Sequence, residues 1–334
     1  MLRPLRNDGG SSWYLKLPHR LRKGVWIKTI LFGAVFVVLV NFLCHPKRFP
    51  GYYDYIKQED ITSYLSPALP IHKKPCVFDG GKVLLSNALE NLKRTNFSKD
   101  DSVMRKTWEM QKCTPYKVSI VVPYRDRSEQ LFIFLQYMHW FLQMQLLDYH
   151  IYIVEQSIKN EFNRAFLFNV GYIEAQKTNE SPCFIFHDVD LLPENLGNLY
   201  VCTTCPRHMS SAVNTMRYTL MYHSLFGGVV AILSHQFDVV NGFPNRYFGW
   251  GGEDDDMSLR VVNKNLMICR FPPLISRYTM LPHKHSKPNE ERLNLLERGR
   301  EDQETDGLNS IAGKYVILGK QERLRHTILH VEIL

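Results

Sequence analysis

Short apolar segments alternate with longer apolar-rich ones between residues 117 and 187, and this alternation restricts the fold more than any other feature of the chain. The segments 118–123, 150–154 and 183–186 are short, apolar and bounded by polar residues, which predicts three buried strands. Strands that alternate with helices are typical of an α/β domain built around a mostly parallel sheet. In such sheets, ligands bind beyond the carboxyl ends of the strands.

Two helices are expected between these strands. Asp126 and Glu129 stand at capping-box spacing before an apolar-rich run, 131–147, which predicts the first helix. Asn163 can cap the second, whose apolar residues recur at helical spacing after it.

A separate apolar segment near the N-terminus, 25–44, is 20 residues long and carries a single charge, Lys28. It is long enough to span a bilayer, and no cleavage signature follows it, which favours an uncleaved anchor over a signal peptide. Residues 1–24 carry six basic residues against Asp8, a net charge of +5, so the positive-inside rule predicts a cytosolic N-terminus. The predicted organisation is a cytosolic tail (1–24), a transmembrane signal-anchor (25–44), a stem (45–75) and a lumenal domain (76–334).

The charge of the chain also belongs mostly to its N-terminus. Of the formal net charge of +8, the tail contributes +5 and Lys28 contributes +1, which leaves about +2 for the rest of the chain. A basic balance confined to a membrane-flanking tail argues against a nucleic-acid partner.

The cysteines agree with a lumenal domain. Cys44 lies at the membrane boundary, and six more cysteines follow, an even number in a compartment where disulfides persist. Cys202 and Cys205 form a Cys-x-x-Cys pair, but no second pair accompanies them to complete a zinc site. Asn96 and Asn179 are candidate glycosylation sites.

Charged side chains follow two of the predicted strands. Asp188 and Asp190 come directly after the third strand, on the same side of an extended segment, where two carboxylates can bind a divalent cation. Arg125 and Arg127 come after the first strand and can bind phosphate oxygens. Each pair also has a structural interpretation, as a loop or as a solvated helix start. Together they predict a nucleoside diphosphate as leaving group.

Four consecutive carboxylates, Glu253 to Asp256, follow a glycine-rich loop that contains Trp250. Like charges in a row are costly unless they meet a metal, a polar ligand or the N-terminus of a helix. We expect Asp254, Asp255 and Asp256 to begin a helix and to face a cleft, with Asp256 capping the helix. Trp250 is either a core aromatic or a platform on which a sugar ring stacks.

The chain resembles the β-1,4-galactosyltransferase family from about residue 76 to near the C-terminus. The resemblance rests on the order of several rare motifs: Phe162-Asn-Arg-Ala165, Asp188-Val-Asp190, Phe226-Gly-Gly228, Asn241-Gly-Phe-Pro244, Trp250-Gly-Gly-Glu-Asp-Asp-Asp256 and Asp306-Gly-Leu-Asn309. It implies a glycosyltransferase-A, Rossmann-like fold. It also implies a single-pass type II protein of the Golgi membrane with its catalytic domain in the lumen.

The same resemblance implies a manganese ion bound by Asp190, Met280 and His283, with His285 as a nearby alternative ligand. A thioether is a weak ligand for a hard cation, so the affinity should be modest. The resemblance also implies a nucleotide-sugar site formed by Pro123, Arg125, Arg127, Arg164, Asp188, Val189, Leu225, Gly228 and Trp250.

By this resemblance, Asp254 is the general base that removes a proton from the acceptor hydroxyl, with Glu253 beside it. The implied acceptor site consists of Asp255, Trp250, Gly252, Arg292, Leu293 and Leu296. The implied disulfides are Cys76–Cys113 and Cys183–Cys202. Cys205 and Cys269 are not explained by the family.

One departure from the family bears on the donor sugar. Leu225 stands before Phe226-Gly-Gly228, where members that transfer galactose carry tyrosine. A smaller aliphatic side chain leaves room for a 2-acetamido group. The sequence therefore predicts inverting, Mn²⁺-dependent transfer of GalNAc from UDP-GalNAc in β-1,4 linkage to terminal GlcNAc of glycoprotein or glycolipid glycans. The alternatives are the same reaction with UDP-galactose and a catalytically inactive sugar-binding protein.

Overall fold

The structure is a computed structural model that describes residues 19–43, 55–65, 116–145, 147–178, 181–284 and 287–334. The chain divides into two compact units, Met1–Tyr52 and Tyr53–Leu334. In the first unit, helix α1 covers His19–Leu43 and overlaps the predicted anchor at 25–44. Within the ranges given above, no helix combines the length and the hydropathy needed to cross a membrane. The anchor, the tail and the stem stay predictions.

The second unit contains a seven-stranded and a three-stranded sheet. Its strands are β1 (Lys117–Tyr124), β2 (Asp148–Gln156), β3 (Cys183–His187), β4 (Leu191–Pro193), β5 (Arg207–His208), β6 (Ala212–Val213), β7 (Val229–Leu233), β8 (Arg277–Met280), β9 (Tyr315–Glu322) and β10 (His326–Ile333). Its helices are α2 (Ile61–Tyr64), α3 (Ser128–Met144), α4 (Arg164–Thr178), α5 (Ser234–Val239), α6 (Glu253–Asn263) and α7 (Arg292–Asp302).

The large sheet has the order β5-β7-β3-β1-β2-β10-β9. Its four central strands, β3, β1, β2 and β10, run parallel, whereas β7 and β9 pair antiparallel to them at either side. The predicted α/β fold with a mostly parallel centre is confirmed. The small sheet, β4-β8-β6, pairs Leu191, just after β3, with Met280, which lies 89 residues further along the chain.

Both faces of the large sheet are covered. Successive side chains of a strand point to opposite faces. Ile120 and Val122 of β1 pack with Phe134 of α3 in one core, and Val121 packs with Phe168 of α4 in the other. Burial on both faces explains why the central strands read as continuous apolar runs.

The two predicted helix starts have different outcomes. The side-chain oxygen of Asn163 accepts a hydrogen bond of 2.9 Å from the Phe166 N–H, so the predicted cap of α4 is confirmed. The prediction of a capping box at Asp126 is wrong. Asp126 adopts a left-handed conformation with a φ of 53°, which leaves Arg127 in the cap position without a side-chain cap, and α3 begins at Ser128.

Cys183 and Cys202 form a disulfide, as the family resemblance implies, with a Cα–Cα distance of 5.5 Å. It joins the start of β3 to the loop before β5. The predicted pair Cys76–Cys113 and the glycosylation sites Asn96 and Asn179 lie outside the described residues.

Candidate active site

The carboxyl ends of β1 and β3 form the floor of the candidate site. These strands are parallel neighbours, so the residues that follow them meet at one edge of the sheet. Arg127 follows β1 and Asp190 follows β3, and Arg127 Nη1 lies 2.7 Å from Asp190 Oδ2. The two polar pairs that follow the predicted strands thus meet at this edge.

Arg164 connects this edge of the sheet to the carboxylate run. Its Nε lies 2.6 Å from Asp188 Oδ1, and its Nη1 lies 3.3 Å from Glu253 Oε1. A third contact, from Nη2, reaches the Gly228 carbonyl at 3.3 Å. One guanidinium thus holds together three segments far apart in sequence.

Arg125 differs from Arg127 in its contacts. Its Nη1 donates to the Asn160 carbonyl at 2.7 Å, and its guanidinium lies 5.3 Å from the Phe162 ring centroid. Arg125 therefore also holds the loop before α4.

The small sheet brings together the segments that carry the three predicted manganese ligands. Leu191 of β4 pairs with Met280 of β8, and the Leu281 N–H donates to the Asp190 carbonyl at 2.7 Å. This pairing brings His283 Nδ1 to 2.9 Å from Asp190 Oδ2. Burial first, and then the nearby Asp188, raise the pKa of the Asp190 carboxyl.

The residues fit a divalent cation of the manganese type. Carboxylate, imidazole and thioether side chains form a mixed donor set that suits borderline metals better than calcium. Over the residues that the structure describes, no group of three or more His, Cys, Asp or Glu side chains is arranged to hold a metal. The predicted set contains only two such side chains, because its third member is the thioether Met280. His285, the alternative ligand, lies outside the described residues.

Helix α6 begins at Glu253, so its first turn contains Glu253 as well as the three predicted carboxylates, Asp254, Asp255 and Asp256. Its cap residue, Gly252, has a φ of 96°, a left-handed conformation that favours glycine. Burial raises the pKa of Glu253, whose Oε2 has no hydrogen-bond partner among the described residues. Asp255 Oδ1 accepts a hydrogen bond of 3.0 Å from the Tyr222 hydroxyl.

Asp254 lies closely against the turn before β7. A Cβ atom placed on Gly227 would be only 2.4 Å from Asp254 Oδ2, so the carboxylate sits where a side chain would otherwise be. Burial, followed by the charges of Glu253 and Asp255, raises the pKa of Asp254 to about 7. A carboxyl group with such a pKa can accept a proton near neutral pH.

The sequence-based interpretation of Asp256 as a helix cap is wrong. Asp256 is the fourth residue of α6 and turns inward, with Oδ1 2.7 Å from Arg260 Nε and Oδ2 accepting from the Tyr247 hydroxyl at 3.0 Å. Side chains four residues apart lie on one face of a helix, so Asp256 forms a buried ion pair instead.

A cavity of about 860 Å³ collects the predicted site residues. Those that line it are Pro123, Arg125, Arg127, Arg164, Asp188, Val189, Asp190, Leu225, Gly228, Trp250, Gly252, Glu253, Asp254, Asp255, Met280, His283, Arg292, Leu293 and Leu296. Their individual roles stay predictions.

Trp250 stands at the rim of this cavity with 60 % of its surface exposed, which excludes the interpretation as a core aromatic. Its main chain pairs with the segment before α7: Trp250 N–H donates to Lys287 O at 3.1 Å, and Asn289 N–H donates to Trp250 O at 2.9 Å. Helix α7, which follows this segment, carries Arg292 and Leu293 into the cavity wall.

Sequence reasoning missed several residues of the wall. Tyr222 and Ser210 line the cavity, and Ser210 Oγ accepts from the Val229 N–H at 2.9 Å while donating to the Gly227 carbonyl at 3.1 Å. Tyr222 lies only three residues before Leu225, and this proximity is the one signal that could have pointed to it.

The sequence of the chain is similar to those of known proteins. A model for the N-terminal region of glycosyl transferase group 7 matches residues 73–203, and a model for the N-terminal domain of galactosyltransferase matches residues 207–284. The chain is 44 % identical over 240 residues to human β-1,4-galactosyltransferase 4, covering 71 % of this chain and 68 % of the relative. It is 43 % identical over 223 residues to human β-1,4-galactosyltransferase 1, covering 66 % of this chain and 56 % of that relative.

Solved structures of β-1,4-galactosyltransferases are also similar to this chain. The catalytic domain of Drosophila β-1,4-galactosyltransferase 7 in complex with xylobiose superposes with a TM-score of 0.57 at 30 % identity, covering 66 % of this chain and 94 % of that one. A mutant of that enzyme, in complex with manganese, UDP-Gal and xylobiose, has the same TM-score at 29 % identity. The fold is thus that of a glycosyltransferase. The chain belongs to the β-1,4-galactosyltransferase family.

Proposed function

We propose that the protein transfers galactose from UDP-galactose, with inversion and in β-1,4 linkage, to a terminal GlcNAc of a glycan. The matched region spans about two-thirds or less of the human relatives, so their activity is a hypothesis for this chain. The observation that carries the proposal is the position of Arg164, which bonds Asp188 on one side and Glu253, next to Asp254, on the other. A phosphate-binding edge and a basic carboxylate thus face one cavity.

The residues divide the reaction between two walls. Arg127 and Arg164 supply guanidinium groups for the diphosphate at the edge of the sheet. Asp254 accepts the proton of the acceptor hydroxyl, and its raised pKa makes it a stronger base than an ordinary aspartate. Attack from one wall and departure toward the other amount to a single displacement that inverts the anomeric carbon.

Asp190, Met280 and His283 would hold the manganese ion. When bound, the ion supplies positive charge that stabilises the departing diphosphate. Manganese in the Drosophila complex with UDP-Gal supports this assignment.

A second candidate donor is UDP-GalNAc. The relatives compared above are galactosyltransferases, which supports galactose over the GalNAc donor predicted from the sequence. Leu225 favours GalNAc, because a half-buried aliphatic side chain lines the cavity where a tyrosine would carry a hydroxyl.

A direct comparison of donors tests both candidates. The purified chain is assayed with Mn²⁺, a GlcNAc-terminated acceptor and either UDP-galactose or UDP-GalNAc at equal concentration. Faster transfer of galactose supports the main proposal, and faster transfer of GalNAc supports the second. Leu225→Tyr should raise the ratio of galactose to GalNAc transfer, with Leu225→Ile as the control that keeps an aliphatic side chain. Absence of transfer from both donors would overturn the proposed function.

The location in the Golgi membrane is proposed on the sequence alone. Its support is the basic tail, the apolar segment 25–44 and the six cysteines that follow Cys44. Microscopy of a tagged full-length chain with a Golgi marker tests it.

A further inference from the structure

Cys205 and Cys269, which the family motifs leave unexplained, lie side by side in the structure. Both are thiols and both are buried, with 8 % and 4 % of their surfaces exposed. Their side chains are hydrogen-bonded to each other, and Cys269 Sγ also donates to the Cys205 carbonyl at 3.5 Å. They are 64 residues apart in sequence, so the contact depends on the tertiary fold.

The main chain fixes this approach. The Cys269 N–H donates to the Pro206 carbonyl at 2.9 Å, and the His208 N–H donates to the Cys269 carbonyl at 3.0 Å. Arg207 and Cys269 thereby form a parallel bridge. The bridge pairs Cys269 with Arg207 and not with Cys205, which lies two residues before Arg207. It places the segment of Cys205 beside Cys269, and the hydrogen bond between the two side chains brings the sulfurs into contact.

The surroundings favour the reactive form of one thiol. The hydrogen bond from Cys205, the Thr203 hydroxyl at 3.3 Å and the guanidinium groups of Arg207 and Arg270 lower the pKa of Cys269. Arg207 is fully buried, and its Nε and Nη1 have no hydrogen-bond partner among the residues that the structure describes. A thiolate is the species that attacks a disulfide.

We propose that Cys205 and Cys269 form a disulfide in addition to Cys183–Cys202. The oxidant is a small-molecule disulfide such as oxidised glutathione. The Cys269 thiolate attacks one of its sulfurs and releases one thiol, and the Cys205 thiolate then attacks the Cys269 sulfur and releases the second. Two cysteine thiols and one external disulfide become one cystine and two external thiols. Because both sulfurs are buried in the native state, the external disulfide reacts late in folding, when these segments have already paired and the sulfurs are still accessible.

This disulfide would stabilise the wall of the candidate active site. The two cysteines pack in a small apolar cluster with Ile56, Ile61 and Phe271. Arg270, next to Cys269 in sequence, donates hydrogen bonds to the carbonyls of His223 and Leu225. The bond would fix the segment from which this arginine reaches the donor-facing loop.

Peptide mapping tests the proposal without any measurement of activity. The full chain is produced in the secretory pathway of a eukaryotic cell, alkylated without reduction and digested with trypsin. Residues 265–270 form a peptide with Cys269 as its single cysteine, whereas residues 178–207 form one that carries Cys183, Cys202 and Cys205. We expect the two peptides to be joined, and to separate after reduction.

The Cys205→Ser variant identifies the partner. In that variant the peptide 265–270 should be free and alkylated at Cys269. Alkylated Cys269 in the unmodified protein, Cys269 bound to glutathione, or a joined peptide that persists in Cys205→Ser would each overturn the proposal. We also expect Cys205→Ser, Cys269→Ser and the double variant to lower the melting temperature by a similar amount, on the order of 5 °C. A double variant with a loss equal to the sum of the two single losses would contradict a shared bond.

Discussion

Arg270 donates a hydrogen bond of 2.9 Å from Nη2 to the main-chain carbonyl of Leu225. The same nitrogen donates to the His223 carbonyl at 2.7 Å, and Nε lies 3.2 Å from His208 Nδ1. Arg270 has only 1 % of its surface exposed, so these partners replace the water that its charge would otherwise bind. A single buried guanidinium thus positions the segment whose side chain bears on the choice of donor.

Replacing Arg270 by lysine should impair binding of the donor more than the chemical step. Lysine keeps the charge but lacks the fork that reaches two carbonyls and a ring nitrogen at once. Loss of a hydrogen bond from a charged group corresponds to about a tenfold effect or more. We expect KM for the UDP-sugar to rise about tenfold with a smaller change in kcat.

Steady-state kinetics with both donors measure the effect of Arg270→Lys. Arg298→Lys, on the exposed face of α7, is the matched control and should leave KM unchanged. A variant of Arg270 with unaltered KM and donor ratio would show that Leu225 is held by other contacts.

How well a site residue could be predicted from the sequence depends on how far along the chain its partners lie. Asp188 and Arg125 could be predicted from local pattern, because each follows an apolar strand and parallel strands end at one edge. Met280 could not, since its pairing with Leu191 joins segments separated by 89 residues and no local pattern marks it. The family resemblance supplied it.

The carboxylate run Glu253 to Asp256 shows that prediction from the sequence can also fail for neighbouring residues. The sequence predicted that a helix begins there, because acidic residues suit a helix N-terminus. It did not predict that Asp256 turns inward to Arg260, since this depends on which face of α6 the rest of the domain covers. Tyr247, which bonds the same carboxylate, comes from the loop before α6.

Arg127 should compete with the cation for Asp190. Its Nη1 lies 2.7 Å from Asp190 Oδ2, the same oxygen that lies 2.9 Å from His283 Nδ1. Arg127→Gln removes a competing charge, so we expect Mn²⁺ to bind about threefold more tightly in the absence of nucleotide. The same variant should raise KM for the UDP-sugar, because a phosphate-binding group is lost.

Calorimetric titration of Mn²⁺ separates the two effects of Arg127→Gln. Arg125→Gln is the matched control, because Arg125 bonds the Asn160 carbonyl rather than Asp190. It should leave the affinity for Mn²⁺ unchanged. Weaker binding of Mn²⁺ to Arg127→Gln would mean that Arg127 supports the metal site instead of competing with it.

Gly227→Ala should displace the proposed base. The new Cβ would lie 2.4 Å from Asp254 Oδ2 and 3.2 Å from its Cγ, so the carboxylate has to move. Small displacements of a catalytic group are costly, and we expect kcat to fall at least tenfold. Gly319→Ala in β9 is the control, because its nearest contact would be an ordinary 3.4 Å from His330. Normal kcat in Gly227→Ala, with the fold intact by circular dichroism, would contradict the placement of Asp254 as base.

The raised pKa of Asp254 gives the activity a defined pH dependence. A carboxyl group with a pKa of about 7 is mostly protonated at pH 5 and mostly ionised at pH 8, and only the ionised form accepts a proton. The rate should therefore rise with pH and level off above neutrality. Asp254→Asn should lose about two orders of magnitude or more in kcat and the pH dependence with it.

The free energy of unfolding should fall as the pH rises, whereas the rate increases. Between the ordinary pKa of about 4 and the folded-state pKa of about 7, the folded protein keeps a proton on Asp254 that the unfolded chain releases. The free energy of unfolding therefore falls as the pH rises through this range. Asparagine does not ionise, so Asp254→Asn should be more stable than the unmodified protein at pH 8, by on the order of 2 kcal/mol, and similar to it at pH 4. Denaturant unfolding at the two pH values measures the difference, and an equal effect of the substitution at both would contradict a raised pKa.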